Sequence, residues 1–264
     1  MAARHEKAQR FRALHDGEPF VIPNPWDAGS ARMLAALGFP ALATTSSGFA
    51  FTLGRPDGGA TLEELLAHVG VIDAATTLPV SVDLEHGHGP EPGDAAQAIT
   101  RAAGAGAVGG SIEDWDPAGR LFPLPEAVAR IAAARAAADA LDFPFTLTAR
   151  AENHIRGNPD LADTIARLRA YEEAGADVLY APGLATVEAI AEVCGALSRP
   201  VNVLGRPDLR TGEIFAAGAQ RVSLGGALAW TAIEAAAATA EAIRDSGDMS
   251  LLGSPASIAA WLAD

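Results

Sequence analysis

The stretch VSVDLEHGHGPEPGDAAQAITRAAGAGAVGGSIED, residues 80–114, contains one full unit of the pattern that decides the fold. It begins with a short β-branched run, continues into an Ala-rich segment of helical period, and returns to an apolar run after Gly106. Glycine at the end of a helical segment is a common helix stop. Apolar strands that alternate with helices are typical of a parallel sheet covered on both faces.

The same unit recurs along the whole chain. Eight strands are predicted, at residues 20–24, 41–46, 80–85, 107–114, 145–152, 177–183, 201–205 and 221–226. Eight strand–helix units in one chain favour an α/β fold of the closed (β/α)8 barrel type, the TIM barrel. The alternative is a doubly wound open sheet, but no GxGxxG motif follows the first strand. No linker-like stretch interrupts residues 1–264, which predicts one domain.

Two terminal segments lie outside these eight units. Residues 3–15 predict an extra helix that closes the base of the barrel. SPASIAAWLAD, residues 254–264, predicts a short amphipathic helix after a Gly-containing break. Such a helix needs a surface to cover, and a neighbouring subunit is one candidate. Residues 249–264 are therefore predicted to be an oligomerisation segment.

Composition excludes several classes of function. A formal net charge of −14 disfavours nucleic acid and anionic membranes as partners. The N-terminal residues are charged without an apolar signal core, which predicts a cytoplasmic protein. Cys194 is the single cysteine, so a disulfide and a thiolate metal cage are excluded. Lys7 is the single lysine and precedes the first strand, which disfavours Schiff-base chemistry in the barrel.

Carboxylates follow the third and fourth predicted strands. Asp83 and Glu85 are two residues apart, so their side chains would project from the same face of a strand. Glu113 and Asp114 end the next strand. Oxygen ligands of this kind suit Mg²⁺, or Mn²⁺, better than zinc. The alternative is that these residues are ordinary acidic caps and solvated loops.

Other polar residues are predicted at the same end of the barrel. Arg150 ends an otherwise apolar or hydroxylic strand and requires an anionic partner, either Glu113 or Glu152 or a substrate carboxylate or enolate oxygen. The small residues after the second strand would let backbone N–H groups approach an anion, although such a stretch can also be a plain turn. The predicted substrate-binding set is Trp26, Ser46, Ser47, Gly48, His88, Arg150 and Asn202. His86 and His88 are interpreted as a hydrogen-bonding wall.

At these residues the chain resembles the isocitrate lyase and phosphoenolpyruvate mutase superfamily. The resemblance is carried by DLEHGHG (83–89), SIED (111–114) and Arg150, in that order. It implies a Mg²⁺-dependent barrel in which Asp83, Glu85 and Glu113 hold the ion, partly through water. It further implies that residues 46–48 bind a substrate carboxylate, and that Arg150, Asp57 and Glu113 form the catalytic set. Family members are typically tetramers that exchange a C-terminal helix, so a homo-oligomer, dimer or tetramer, is expected.

The chain departs from the family pattern after its fourth strand. Residues 115–124 lack the cysteine of the family's KKCGH-type loop, and also the lysine and asparagine of the mutase loop, although Arg120 supplies a charge. Glu85 also stands where an aspartate is usual. We therefore expect a Mg²⁺-dependent lyase or decarboxylase that cleaves a C–C bond next to a 2-oxo carboxylate through an enolate. The alternatives are mutase or hydrolase chemistry on a P–C bond, and a barrel that binds a 2-oxo acid without turning it over.

Overall fold

Eight parallel strands form the barrel of the computed structural model, which describes residues 2–254 and 258–262. The barrel strands are β1 (Phe20–Ile22), β2 (Leu42–Ala43), β3 (Val80–Asp83), β4 (Gly109–Glu113), β7 (Thr146–Arg150), β8 (Val178–Tyr180), β9 (Val201–Leu204) and β10 (Arg221–Ser223). An antiparallel hairpin, β5 (Trp115–Asp116) and β6 (Arg120–Leu121), follows β4. The eight predicted strands are confirmed, each one shorter than its prediction.

The sheet curves round until its two edge strands meet. Its order is β1-β10-β9-β8-β7-β4-β3-β2, and the amide of Ala43 in β2 donates to the carbonyl of Pro23, just after β1, at 3.1 Å. This bond brings the first and last strands of the order together, so the structure is a nearly closed (β/α)8 barrel and not an open sheet.

Helices surround this barrel, and their ends follow local sequence signals. The helices are α1 (Ala2–Leu14), α2 (Ala28–Ala36), α3 (Ser46–Thr52), α4 (Leu62–Ala75), α5 (Pro92–Ala105), α6 (Leu124–Asp139), α7 (Leu161–Glu173), α8 (Val187–Ala196), α9 (Thr211–Ala216), α10 (Ala227–Ser246) and α11 (Ile258–Leu262). Thr61 caps α4 in a capping box with Glu64. Gly106 ends α5 with φ +124°, where a Cβ would lie 2.5 Å from the Asp73 carboxylate. Only glycine fits that position.

The N-terminal helix covers the base of the barrel, as predicted. Ala8 and Phe11 on α1 are fully buried, and a Cβ added to Gly109 would lie 2.5 Å from the Phe11 ring. Lys7 donates to Asp73 at 2.6 Å at this end of the molecule. The only lysine is therefore far from the carboxyl ends of the strands and serves packing between α1 and α4.

The C-terminal helices lie outside the barrel. Within the described residues, Ala229 is the one buried residue of the 20-residue helix α10. Helix α11 lies against α2 of the same chain, where Arg32 Nη1 donates to the Leu262 carbonyl at 3.2 Å. Part of the predicted oligomerisation segment, residues 255–257 and 263–264, falls outside the described residues, and exchange of this helix between subunits stays a prediction. Within residues 2–254 and 258–262, no helix has the length and apolar character to cross a bilayer.

Candidate active site

A small polar cavity lies inside the barrel toward the carboxyl ends of the strands. Its volume is about 60 Å³, and its lining includes Asp83, Arg150, Tyr180, Asn202 and Arg221. A larger cavity of about 630 Å³ lies at the opposite end, beside α1, and contains none of the predicted site residues. Barrels of this type carry their chemistry at the carboxyl ends of the strands, so the small cavity marks the candidate site.

Arg150 is at the centre of this site. Parallel pairing places it directly opposite Glu113 on β4 and Tyr180 on β8. Its guanidinium lies 3.4 Å from Glu113, 3.9 Å from Asp83, and in direct contact with Glu152. Burial alone would lower the pKa of Arg150, but Glu113 and Glu152 raise it above its ordinary value. The internal ion pairs expected for a buried arginine are therefore formed.

A second cation, Arg156, contacts two of the carboxylates that pair with Arg150. The sequence interpretation missed it. Arg156 Nε donates to Glu152 at 3.0 Å, and its Nη2 lies 3.7 Å from Glu113. Its guanidinium also stacks 4.4 Å from the ring centroid of Trp115 in the hairpin. Arg156 comes six residues after its strand, so nothing in the strand pattern points to it.

The positive charges near the site only partly compensate the buried carboxylates. Burial raises the pKa of Glu113 well above its ordinary value. The charges of Glu152 and Asp83 also raise this pKa, whereas those of Arg150 and Arg156 lower it. Burial, together with the charges of Asp83 and Asp57, raises the pKa of Glu85 to about 7. Three carboxylates, those of Asp83, Glu113 and Glu152, thus share two guanidinium groups, and the further negative charge of Glu85 leaves the site short of positive charge.

The loop after β3 differs from its prediction. The strand ends at Asp83, and Glu85 adopts a left-handed conformation with φ +50°, so the two side chains do not leave one face of a strand. The amide of Glu85 donates to Asp83 Oδ1 at 3.2 Å and its carbonyl accepts from the Glu113 amide at 2.8 Å. The prediction of a shared strand face was wrong because a turn begins one residue earlier than the apolar pattern indicates.

Asp57 reaches this loop from the exposed segment between α3 and α4. Its carboxylate accepts from the Gly58 amide at 3.1 Å, and a Cβ added to Gly58 would lie 3.7 Å from Glu85 Oε2. The segment that carries Asp57 thus lies near Glu85, whose pKa the charge of Asp57 helps to raise. Its predicted catalytic role stays a prediction.

The donor set fits a divalent cation that keeps much of its own water. Within residues 2–254 and 258–262, no three His, Cys, Asp or Glu side chains converge on one point. Asp83 and Glu113 nevertheless flank the same guanidinium group. Mg²⁺ typically binds one or two carboxylates and takes its remaining ligands from water and substrate. The uncompensated negative charge and the hard oxygen donors are consistent with that mode.

The predicted anion-binding turn is the first turn of α3. Thr45 caps this helix through a 3.3 Å bond from the Gly48 amide, so that amide is already used. A Cβ at Gly48 would lie 2.6 Å from Thr45 and 3.3 Å from Cβ of Trp26, so this glycine also permits close packing. Ser47 Oγ lies 3.2 Å from the Thr45 hydroxyl. The expectation of a plain turn was wrong, and the substrate contacts of residues 46–48 stay a prediction.

A buried arginine holds the histidine loop in place. Arg130 on α6 donates to the backbone carbonyls of His86 at 3.2 Å, Gly89 at 3.0 Å, and Pro90. Its guanidinium also lies 4.1 Å from the centroid of Phe122, which follows the hairpin. His88 has φ +57°, and its Nε2 is buried with no hydrogen-bond partner among the described residues. Arg130 therefore ties the loop after β3 to the segment after β4.

The segment after β4, whose conformation the sequence left open, is an ordered hairpin. Asp116 pairs with Arg120 at 2.9 Å across it, and the Phe122 amide returns to the Asp114 carbonyl at 2.8 Å. Asp114 itself accepts bonds from the Tyr171 hydroxyl at 2.5 Å and from Arg167 at 3.1 Å. Asp114 thus supports the base of the hairpin, while Glu113 faces the site.

Asn202 lies inside the barrel, but its amide is already engaged. Its Oδ1 accepts from Arg221 at 2.8 Å, and its Nδ2 donates to Ser223 at 2.9 Å. Its predicted direct contact with substrate would therefore require breaking one of two buried hydrogen bonds.

These features can be compared with those of known proteins. The sequence profile of phosphoenolpyruvate phosphomutase matches residues 11–244. The chain belongs to this family. The resemblance seen in the sequence is confirmed, and the structural relatives fall in the wider phosphoenolpyruvate mutase and isocitrate lyase superfamily. This superfamily includes lyases that cleave C–C bonds.

Three known proteins that are similar to this chain in sequence or in fold are described next. An oxaloacetate decarboxylase of Rhodopseudomonas palustris is 31% identical over 92% of this chain and 87% of its own length. A Burkholderia cenocepacia protein, designated only as a lyase/mutase, superposes with a TM-score of 0.96 at 48% identity, covering 99% of this chain and 98% of that one. Phosphonopyruvate hydrolase, crystallised with oxalate and Mg²⁺, shares the fold with a TM-score of 0.85 at 24% identity, over 97% and 94% of the two chains.

Proposed function

We propose that this protein is a Mg²⁺-dependent lyase or decarboxylase that cleaves a C–C bond adjacent to the 2-oxo carboxylate unit of a small acid, through an enolate. The observation that carries the proposal is Arg150, held between Asp83 and Glu113 at the carboxyl ends of β3, β4 and β7. This arrangement combines a fixed cation with hard oxygen donors and needs no nucleophile. The similarity to an oxaloacetate decarboxylase supports the same substrate class.

The chemistry follows from where charge develops. Cleavage of the C3–C4 bond of a 2-oxo acid leaves the electron pair on C3, where it delocalises onto the 2-oxo oxygen, so an enolate forms; in a decarboxylation, C4 leaves as CO₂. The guanidinium of Arg150 is positioned by Glu113 and Glu152 and would stabilise that oxygen through charge-assisted hydrogen bonds. Asp83 and Glu113, with Glu85 nearby, would hold Mg²⁺, which supplies Lewis-acid stabilisation of the same charge. Mn²⁺ could occupy the same oxygen ligands.

Cleavage of a P–C bond is the second candidate function. It is favoured by the match to the phosphoenolpyruvate phosphomutase profile and by the fold shared with phosphonopyruvate hydrolase. Against it, the hairpin and its flanks, residues 115–124, contain neither the lysine nor the asparagine of the mutase loop. We therefore place C–C cleavage first.

A direct assay separates these candidates. Purified protein with Mg²⁺ is mixed with oxaloacetate and related 2-oxo dicarboxylates, and the release of pyruvate and other 2-oxo acids is followed. Removal of the metal with a chelator should abolish turnover. A parallel sample with phosphonopyruvate is followed by phosphorus NMR. No turnover of any 2-oxo acid by metal-loaded protein would refute the lyase proposal. Thermal stabilisation by a 2-oxo acid without turnover would instead favour the binding protein.

We also propose that the protein is a homo-oligomer, a dimer or tetramer. Helix α10 buries only Ala229 within the described residues, while Trp230, Leu251 and Leu252 are exposed beside it or after it. An apolar surface of this kind is covered in many proteins by a second copy of the chain. Light scattering coupled to size-exclusion chromatography tests this, and a monomer at micromolar concentration would contradict it.

A further inference from the structure

A chain of hydrogen bonds crosses the barrel interior from its base to the candidate site. At the base, Arg221 on β10 bonds Nε2 of His15, which directly follows α1, at 3.1 Å and Thr148 at 3.1 Å. Toward the site, Arg221 Nε donates to Asn202 Oδ1 at 2.8 Å, and Asn202 Nδ2 donates to Ser223 Oγ at 2.9 Å. Ser223 Oγ lies 3.5 Å from Tyr180 Oη. None of these residues belongs to the catalytic set assigned above, and Asn202 alone belongs to the predicted substrate-binding set.

Arg221 determines which group donates and which accepts at each step of this chain of hydrogen bonds. A guanidinium group only donates hydrogen bonds, so the Asn202 atom that faces it must be the amide oxygen. The amide nitrogen of Asn202 then faces Ser223 as a donor. The Ser223 proton is left for Tyr180 Oη, which is its only recorded acceptor among the described residues. Tyr180 therefore accepts from below, and its own O–H proton remains to be donated elsewhere.

Tyr180 is placed where that proton is useful. It ends β8 opposite Arg150, whose guanidinium carbon lies 5.2 Å from the Tyr180 ring centroid. It lines the same cavity as Asp83 and Thr45. Burial raises the pKa of Tyr180, so its hydroxyl stays protonated at neutral pH. Arg150 shares its own N–H groups with three carboxylates, which leaves room for a second donor at the site.

We propose that Tyr180 donates a hydrogen bond to the oxyanion of a bound 2-oxo acid or its enolate, and that Ser223, Asn202 and Arg221 are positioning residues that orient its hydroxyl. The proton stays on Tyr180, so no bond of the tyrosine forms or breaks. This inference rests on the proposed lyase function for its kinetic consequence. Its binding consequence can be measured without turnover.

The first test is Tyr180→Phe, which removes one oxygen atom and keeps the ring. Loss of one preorganised donor to an oxyanion typically lowers kcat about 100-fold or more, and we expect that loss here with KM changed by less than about threefold. Oxalate, a planar dicarboxylate that a structural relative binds together with Mg²⁺, is the binding probe. Because a hydrogen bond to a charged group is lost, its Kd in the presence of Mg²⁺ should rise about tenfold or more.

The second test separates orientation from packing. Ser223→Ala breaks the chain and should lower kcat and oxalate affinity by about three- to tenfold, the effect of one neutral hydrogen bond. Thr148→Val is the matched control, because it removes another partner of Arg221 and leaves the chain to Tyr180 intact. It should stay within about twofold of the wild type, since among the described residues the Thr148 hydroxyl has a hydrogen bond only with Arg221 and none with Asn202, Ser223 or Tyr180.

The outcomes are distinct from those that decide the proposed function. Tyr180→Phe within twofold of the wild type in both assays, or Thr148→Val as impaired as Ser223→Ala, overturns the inference. If the wild type turns over no 2-oxo acid but binds oxalate with Mg²⁺, the lyase proposal fails, while the oxalate series still decides the role of Tyr180. A wild type that neither turns over a 2-oxo acid nor binds oxalate overturns both.

Discussion

Two arginines line the same interior cavity and differ in the charge of their surroundings. Arg150, at the carboxyl ends of the strands, contacts Glu113, Glu152 and Asp83. Arg221, one layer nearer the base, has hydrogen bonds only to the neutral side chains of Asn202, Thr148 and His15 within residues 2–254 and 258–262. The charge on Arg150 is thus compensated by anions, while that on Arg221 is solvated by dipoles alone.

The pKa directions of the two arginines reflect this difference. The carboxylates raise the pKa of Arg150, whereas burial lowers the pKa of Arg221 to about 10. A buried cation without a counter-ion is costly, and proteins keep such groups mainly where they serve an arrangement of other groups. The comparison therefore indicates that Arg150 belongs to an anionic centre and that Arg221 orients a polar network below it.

The largest expected effect concerns activity at Arg150. Arg150→Lys keeps the charge but loses the planar fork, so we expect kcat/KM to fall about 1,000-fold or more, as for loss of an oxyanion donor. Mg²⁺ affinity, measured by calorimetry on the same protein, should change much less. Arg221→Lys is the matched control and should retain more activity. Equal losses of activity and Mg²⁺ affinity in Arg150→Lys would make Arg150 a structural partner of the carboxylates and nothing more.

The barrel and the central ion pairs could be predicted because they follow from short-range patterns. Apolar β-branched runs and glycine stops predict parallel strands, and the carboxyl ends of adjacent parallel strands meet at one edge. Arg150 and Glu113 each end such a run, and the structure pairs them directly. Their contact therefore needs no knowledge of how the loops fold.

The remaining parts of the site depend on loop geometry and on register around the barrel, which strand periodicity does not encode. Glu85 turned out to lie in a left-handed turn, and Arg156 reaches Glu113 from a segment with no strand pattern. Arg221 did carry a signal, because an arginine that starts an apolar strand must find a buried partner, as Arg150 does. Its neutral partners come from β7, β9 and the residue after α1, and only the closed barrel brings those together.

The second expected effect separates the two arginines by stability. Arg150→Met removes the nearer cation of the buried Glu113 and Glu152 and leaves them only Arg156, so the free energy of unfolding should fall by about 3–5 kcal/mol. Arg221→Met removes hydrogen bonds to neutral groups and also removes an uncompensated buried charge. We expect a loss of only about 1–2 kcal/mol. Urea unfolding of both variants at pH 7 without metal measures the difference, and equal losses would contradict the contrast between the two sites.

The third effect is an acid-dependent loss of stability from His15, the histidine beside Arg221. Burial, with help from Arg221, lowers the pKa of His15 to about 3 in the folded state. Above pH 6.5 both states hold the neutral ring. As pH falls below 6.5, the unfolded state binds a proton that the folded state does not, so stability falls by up to about 1.4 kcal/mol per pH unit. Burial lowers the pKa values of His68 and His86 to about 4, so they act in the same direction.

Replacement of His15 should therefore flatten the acid side of the stability curve. In His15→Gln, the slope of unfolding free energy between pH 6 and pH 4 should decrease by about 1 kcal/mol per pH unit relative to the wild type. His5→Gln, at an exposed histidine of the preceding helix α1, is the control and should keep the wild-type slope. An unchanged slope in His15→Gln would show that His15 already takes up a proton in the folded protein.

The smallest expected effect separates the two causes of the low pKa of His15, the charge of Arg221 and burial of the ring. His15 Nδ1 bonds the Phe11 carbonyl at 2.9 Å, so its Nδ1 carries the proton and its Nε2 accepts from Arg221. Arg221→Met removes the nearby cation but leaves the ring buried, so the pKa of His15 should rise while staying well below 6.5. NMR titration of the His15 ring measures this, with Arg221→Lys as the variant that keeps the charge and should shift less. If the pKa of His15 rose to its ordinary value in Arg221→Met, charge and not burial would set the protonation of His15. The positive charge of Arg221 would then be less screened by its neutral partners than the comparison with Arg150 implies.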